Sequence, residues 1–135
     1  DFILSLETLL VSSPGDSTMK LSQRLALFLG STDAEKYEIW QYMQTFYNFR
    51  SGQIHELTDR NMKVPNLPQI TKDNASKKLE IWTRHAILKM MIFSQNLEFN
   101  NLSIKQIYKK IDESMFNSKL KNKFLKLDTN LKPFQ

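Results

Sequence analysis

The chain has 135 residues with 41% hydrophobic and 24% charged content, no cysteine, and a formal net charge of +5. These values exclude disulfides, thiolate metal sites and cysteine catalysis, and they exclude a disordered chain too polar to bury a core. No apolar run approaches the ~18 residues of a membrane span and no signal-peptide pattern opens the chain, so no membrane partner is expected.

The predicted elements are helices. Phe2, Ile3, Leu6, Leu9 and Leu10 have helical spacing and place a first helix over Phe2 to Val11. Ser13-Pro14-Gly15-Asp16 is a turn signal. A second helix is expected over Thr18 to Leu29, with Leu21, Leu25 and Phe28 on one face and Gly30 as its C-terminal cap. Thr32 and Glu35 are spaced as a capping box, opening a third helix that runs to about His55. Leu57 to Ala75 reads as a long structural connector holding Pro65 and Pro68, since one PxxP spacing is weak evidence for a ligand motif. A fourth helix is expected over Lys77 to Leu97, with Leu79, Trp82, Ala86, Phe93 and Leu97 as its seam. Ser103 and Gln106 form a second capping-box pattern, opening a fifth helix over Ile104 to Phe116. A basic helix over Lys119 to Leu127 follows.

No segment alternates convincingly, so the expected fold is all-α, a mostly antiparallel bundle of four to five helices with no sheet. Length points to one domain over residues 1–135. Leu25, Phe28, Trp40, Met43, Tyr47, Trp82, Ala86 and Phe93 are its expected core. Asp1 opens the chain where Met would be usual, so the sequence is expected to be an excised or processed piece, with the C-terminal part of a longer protein as one form of it. From Ser103 onward there are eight lysines against three acids, an excess equal to the whole net charge. Such a tail can attract a phosphate backbone, and it can equally be a solvated helical face.

The third helix is the unusual one. Of the seventeen residues from Ile39 to His55, Arg50 alone carries a full formal charge. An apolar stripe (Trp40, Met43, Tyr47, Ile54) runs beside a polar, uncharged one that includes Gln44, Asn48 and His55. A helix facing water normally carries several charges, so both faces are expected to be covered, one of them by a partner or a two-fold interface. Arg50 interrupts the apolar stripe and must be paired or line a cleft. Glu7 and Arg24 interrupt their own stripes in the same way. They either pair with each other or belong to a site. His55 is five residues past Arg50, which on a straight helix leaves the two side chains ~140° apart and ~7.5 Å along the axis. Either the helix bends or ends near Gly52, or two copies of the motif meet across a dimer. His85 lies on the Ile81, Leu88, Ile92 stripe and reads as a packed or interfacial histidine. Met90 and Met91 read as core filler. Two histidines and no cysteine leave no dedicated zinc site.

Tyr47-Asn48-Phe49-Arg50-Ser51-Gly52-Gln53-Ile54-His55 resembles the signature of HEPN domains, an Arg, a polar residue and a His a few positions on, at the end of a long helix. It is most similar to the ApeA-like branch. Leu6-Glu7-Thr8-Leu9-Leu10 resembles that branch's opening Leu-Glu motif. Arg24-Leu25-Ala26-Leu27-Phe28-Leu29-Gly30 resembles its second helix. Leu79-Glu80 through Arg84 and Leu88 resembles the helix after the connector, and Ile111-Asp112 is a weaker echo in the fifth. Glu56 departs from the pattern, standing where Gly often follows the His. The resemblance implies a HEPN-like helical bundle, a homodimer whose two motifs line one cleft, and a metal-independent endoribonuclease with no cofactor. It implies His55 as general acid or base at the ribose 2′-OH and Arg50 as the phosphate-binding group. Ser51, Glu7 and Asn48 would support them, Ser51 at the motif's polar position, Glu7 by orienting Arg50, and Asn48 on the dimer-facing stripe. The implied setting is a cytoplasmic defence or toxin-like system with an antitoxin or an N-terminal sensor domain as partner, acting on RNA. A HEPN module that binds RNA or a protein without cutting is the alternative.

Overall fold

A computed structural model describes residues 2–11, 17–50 and 62–128. Among them lie α1 (Phe2–Leu10), α2 (Ser17–Leu29), α3 (Asp33–Arg50), β1 (Met62–Val64), β2 (Leu67–Ile70), α4 (Lys72–Gln95), α5 (Ile104–Glu113) and α6 (Ser118–Asp128). The molecule is mostly helical, as the periodicity requires. No helix among the described residues is long and apolar enough to cross a membrane.

α2 is the central element, touching α1, α3, α4 and α5. Its residues from Leu25 to Leu29 are all buried, so its last turns are covered on every side and not only along Leu21, Leu25 and Phe28. Around its C-terminal end sits an aromatic cluster. Phe93 stacks on Phe99 at 4.3 Å, and Phe28 and Phe124 close on Phe93 from α2 and α6. Lys89 is fully buried beside this cluster, and its ammonium donates to the Phe28 carbonyl, one of the last in α2. A cation there satisfies a carbonyl that has no partner within its own helix and faces the negative end of the helix dipole.

Both capping signals form, in different ways. At α5 the Ser103 hydroxyl accepts from the Gln106 backbone N–H and the Gln106 side chain accepts from Ser103, a complete box. At α3 the Thr32 hydroxyl accepts from Glu35, but the Glu35 carboxylate reaches one residue further back, to the Ser31 N–H. Gly30 is required by close approach. A Cβ there would lie 2.5 Å from the Lys36 side chain and 2.7 Å from the Ala26 carbonyl, so α3 could not fold back as tightly on α2.

Five expectations are corrected by the structure. The connector holds an antiparallel hairpin, β1 with β2, pairing Met62 with Ile70 and Val64 with Leu67. Pro65 and Asn66 form its turn, and Asn66 takes a positive φ of 62°, the combination a type II turn uses. A strand of three or four residues is too short to show alternation. α4 begins at Lys72 because Thr71 caps it by accepting from the Asn74 N–H, and it ends before Leu97, which is 90% exposed. α5 ends at Glu113, leaving Met115 and Phe116 exposed. Of the two methionines read as core, Met90 is buried and Met91 exposed.

The last correction concerns α3. Its core face is Ile39, Tyr42, Met43 and Phe46, and Trp40 is exposed. Apolar side chains lie nearly all round this helix, so periodicity could not choose between two neighbouring faces. Packing against α2 chose the one holding Ile39, Tyr42, Met43 and Phe46, and Phe46 also meets Trp82 of α4.

Candidate functional site

Arg50 is the last described residue of α3 and lies four residues beyond Phe46 of the core face. That register carries its side chain toward α1. The Glu7 carboxylate lies 3.6 Å from a guanidinium nitrogen of Arg50, with the Glu7 side chain 21% and the Arg50 side chain 37% exposed. Glu7 is held by the buried Ile3, Leu6 and Leu10 of its own short helix. At 3.6 Å the contact is an ion pair beyond ordinary hydrogen-bond length. Water still reaches the guanidinium, so the pair contributes roughly 0–1 kcal/mol to stability. The arrangement presents a planar, partly exposed cation with a carboxylate beside it. Such a group can bind a phosphate through two parallel N–H donors.

Asn48 and Gln44 are half-buried in α3, and Thr45 beside them is buried within the chain. Ser51, Gly52, Ile54, His55 and Glu56 lie outside the described residues, and so does the question of a bend near Gly52. The structure therefore brings together Glu7 and Arg50 of the expected set, two residues from the first and third helices.

Glu7 and Arg24 do not pair with each other. Arg24 grips Asp112 of α5 with two nitrogens at 3.0 and 3.2 Å, and donates a third hydrogen bond of 2.7 Å to the Leu10 carbonyl. Its guanidinium also lies 4.6 Å from the Tyr108 ring centre, and the Tyr108 hydroxyl donates to the Leu9 carbonyl. Arg24 and Tyr108 together cap the C-terminal end of α1, and a buried cation with that many donors satisfied is structural. His85 is 9% exposed and packs inside α4's buried face, in keeping with the packed reading. Among the described residues no three His, Asp or Glu side chains converge to hold a metal ion.

Of the basic tail, Lys109 and Lys110 share Glu113, and Lys123 pairs with Glu98. These are exposed pairs of small energetic weight. Sequence reasoning passed over Lys36, Tyr37 and Lys121, which line one groove with Trp40. The Lys36-Tyr37 to Trp40 spacing was visible, but the assignment of Trp40 to the core hid it, and Lys121 is distant in sequence.

Comparison with family models, with curated proteins and with solved structures finds no match to this chain.

Proposed function

We propose that the chain is a metal-independent endoribonuclease of HEPN type, cutting RNA by attack of a ribose 2′-OH on the adjacent phosphorus. The observation that carries the reading is the Glu7–Arg50 ion pair. Two charges that interrupt separate apolar stripes, each inside a segment resembling the family, come within 3.6 Å of each other. In this reading Arg50 binds the scissile phosphate and its developing charge, and Glu7 holds the guanidinium in plane. His55 moves the proton, for which imidazole is suited by a reference pKa of ~6.5. Ser51 orients the substrate or His55, and Asn48 belongs to the face that meets a second copy. A homodimer would bring two motifs to one cleft, which answers the ~140° separation that a straight helix imposes. The biological setting that fits is a defence or toxin-like system, with an antitoxin or an N-terminal sensor domain controlling the activity.

The test is direct. Purified protein incubated with mixed RNA in EDTA is expected to produce fragments ending in 2′,3′-cyclic phosphate, and to leave DNA intact. His55→Ala should lower the rate by about 10²–10⁴-fold, and Arg50→Lys should also be impaired because an ammonium loses the planar fork. Both variants are compared only when circular dichroism and light scattering match the wild type. Equal cleavage by wild type and folded His55→Ala refutes the catalytic assignment.

A second reading, a HEPN module that binds RNA or a partner without cutting, is favoured by one feature. The Glu7 carboxylate already engages the guanidinium that would receive a phosphate. Wild type that retains RNA on a filter and cleaves none of it would select this reading.

A further inference from the structure

On the face formed by α2, α3 and α6, away from Arg50, there is a groove of about 450 Å³. Gln23, Ala26 and Leu27 of α2 form its floor, with Asp33, Lys36, Tyr37 and Trp40 of α3 on one wall and Met115 and Lys121 opposite. Its volume falls within the ~300–1,000 Å³ range of small-molecule sites. The first residue of interest, Trp40, is ten positions before Arg50, so the groove lies ~15 Å from it along the helix axis.

Three observations make this more than a solvated surface. The first is aromatic. Tyr37 and Trp40 are 38% and 37% exposed, with ring centres 6.0 Å apart, and they lie beside the groove and outside the core. Tyr37 is held in place: its hydroxyl oxygen accepts from the Gln41 side chain at 2.8 Å and from Asn66 at 3.1 Å. Asn66 reaches it from the hairpin turn, where its backbone takes the left-handed conformation. The two donors favour the phenolate and draw the Tyr37 pKa down.

The second observation is electrostatic. Lys36 and Lys121 line the same groove, and among the described residues neither forms an ion pair. Burial first, and then the charge of Lys121, push the Lys36 pKa down, with Asp33 partly restoring it. Two ammonium groups in one groove repel each other, and an anion between them relieves the repulsion. The third observation is the pair of acceptors in the same groove, the Asp33 carboxylate and the Gln23 amide oxygen. A bare anion would be repelled by Asp33. A ligand carrying an anion at one end and N–H or O–H donors at the other satisfies both.

We infer that this groove binds a nucleoside phosphate, with the base against Trp40 and Tyr37, the phosphate between Lys36 and Lys121, and hydroxyl or amino donors toward Asp33 and Gln23. The ligand is either a free nucleotide or one unit of an RNA strand. The inference rests on the groove and is independent of whether Arg50 and His55 cut RNA.

Trp40 supplies the readout, since Trp82, the other tryptophan, is buried. Adenosine monophosphate titrated into the full chain is expected to quench the exposed tryptophan saturably, while inorganic phosphate at equal concentration does not. Lys36→Gln combined with Lys121→Gln should weaken that binding by about tenfold or more, the loss of charge-assisted hydrogen bonds. Lys63→Gln, on the exposed strand position, should leave it unchanged. Calorimetry with Trp40→Leu reads the aromatic contribution without the fluorophore and should show weaker binding. A short oligoadenylate that binds more than about tenfold tighter than the monophosphate identifies an RNA strand as the source, and equal affinity identifies the free nucleotide. The proposal is overturned if neither adenosine monophosphate nor oligoadenylate binds saturably. It is equally overturned if the double lysine variant, folded by circular dichroism, binds as well as wild type, or if inorganic phosphate binds as tightly as the nucleotide.

Discussion

Arg24 and Arg50 begin alike, each a lone cation on an apolar helical stripe, and finish in opposite circumstances. Arg24 is 8% exposed, bidentate to Asp112 and hydrogen-bonded to the Leu10 carbonyl. Arg50 has a side chain 37% exposed, and its carboxylate partner stands 3.6 Å away. One side chain thus has two uses. A guanidinium whose donors are consumed by its own protein fixes the position of helices. One that water still reaches is less tied to its own protein's frame.

Removing Arg24 should therefore hurt stability most. Arg24→Ala leaves the Leu10 carbonyl without its donor and empties a packed position against Tyr108. It should cost about 2–3 kcal/mol, less than a fully buried pair because the abandoned Asp112 is partly exposed. Urea unfolding measures it, and a loss below ~1 kcal/mol would show that Arg24 is not the structural one.

Double-mutant cycles set the two arginines side by side. Coupling between Arg24 and Asp112 should reach about 1–3 kcal/mol, against roughly 0–1 kcal/mol between Arg50 and Glu7. Equal couplings would erase the distinction drawn between the two ends.

A more modest loss is expected for Tyr108→Phe, which removes the hydrogen bond to the Leu9 carbonyl and should cost about 1 kcal/mol at neutral pH. Its pH dependence gives a second reading. Burial raises the Tyr108 pKa, partly offset by Arg24. The unfolded chain releases its phenol proton near pH ~10 while the folded state retains it, so this stability is present below that pH and is lost as pH rises toward the folded value. Stability curves of wild type and Tyr108→Phe should therefore converge above pH ~10. Parallel curves would mean that the hydroxyl is not desolvated.

Much of the helical frame could be read from residues. Thr32 with Glu35 and Ser103 with Gln106 announced two helix starts through chemistry that acts within four residues. For Glu7 the sequence left two alternatives open, a pair with Arg24 or a place in a site, and the carboxylate lies 3.6 Å from Arg50. What escaped was decided between elements. The partner of Arg24 is Asp112, 88 residues away, and nothing local distinguishes it from Glu7. Trp40 is expected in the core because α3 offers two apolar faces, and it is the packing of α3 on α2 that selects the one holding Tyr42 and Phe46. The hairpin escaped because its strands are too short for alternation to register.

Lys89 ties two helices together through one atom. Its ammonium is buried where the Phe28 carbonyl accepts from it, a contact that needs the last turn of α2 to be wound. Phe93, one helical turn further along α4, meets Phe28 in the aromatic cluster beside the same end of α2. The buried amine thus couples the seating of α4 to the finished end of the central helix.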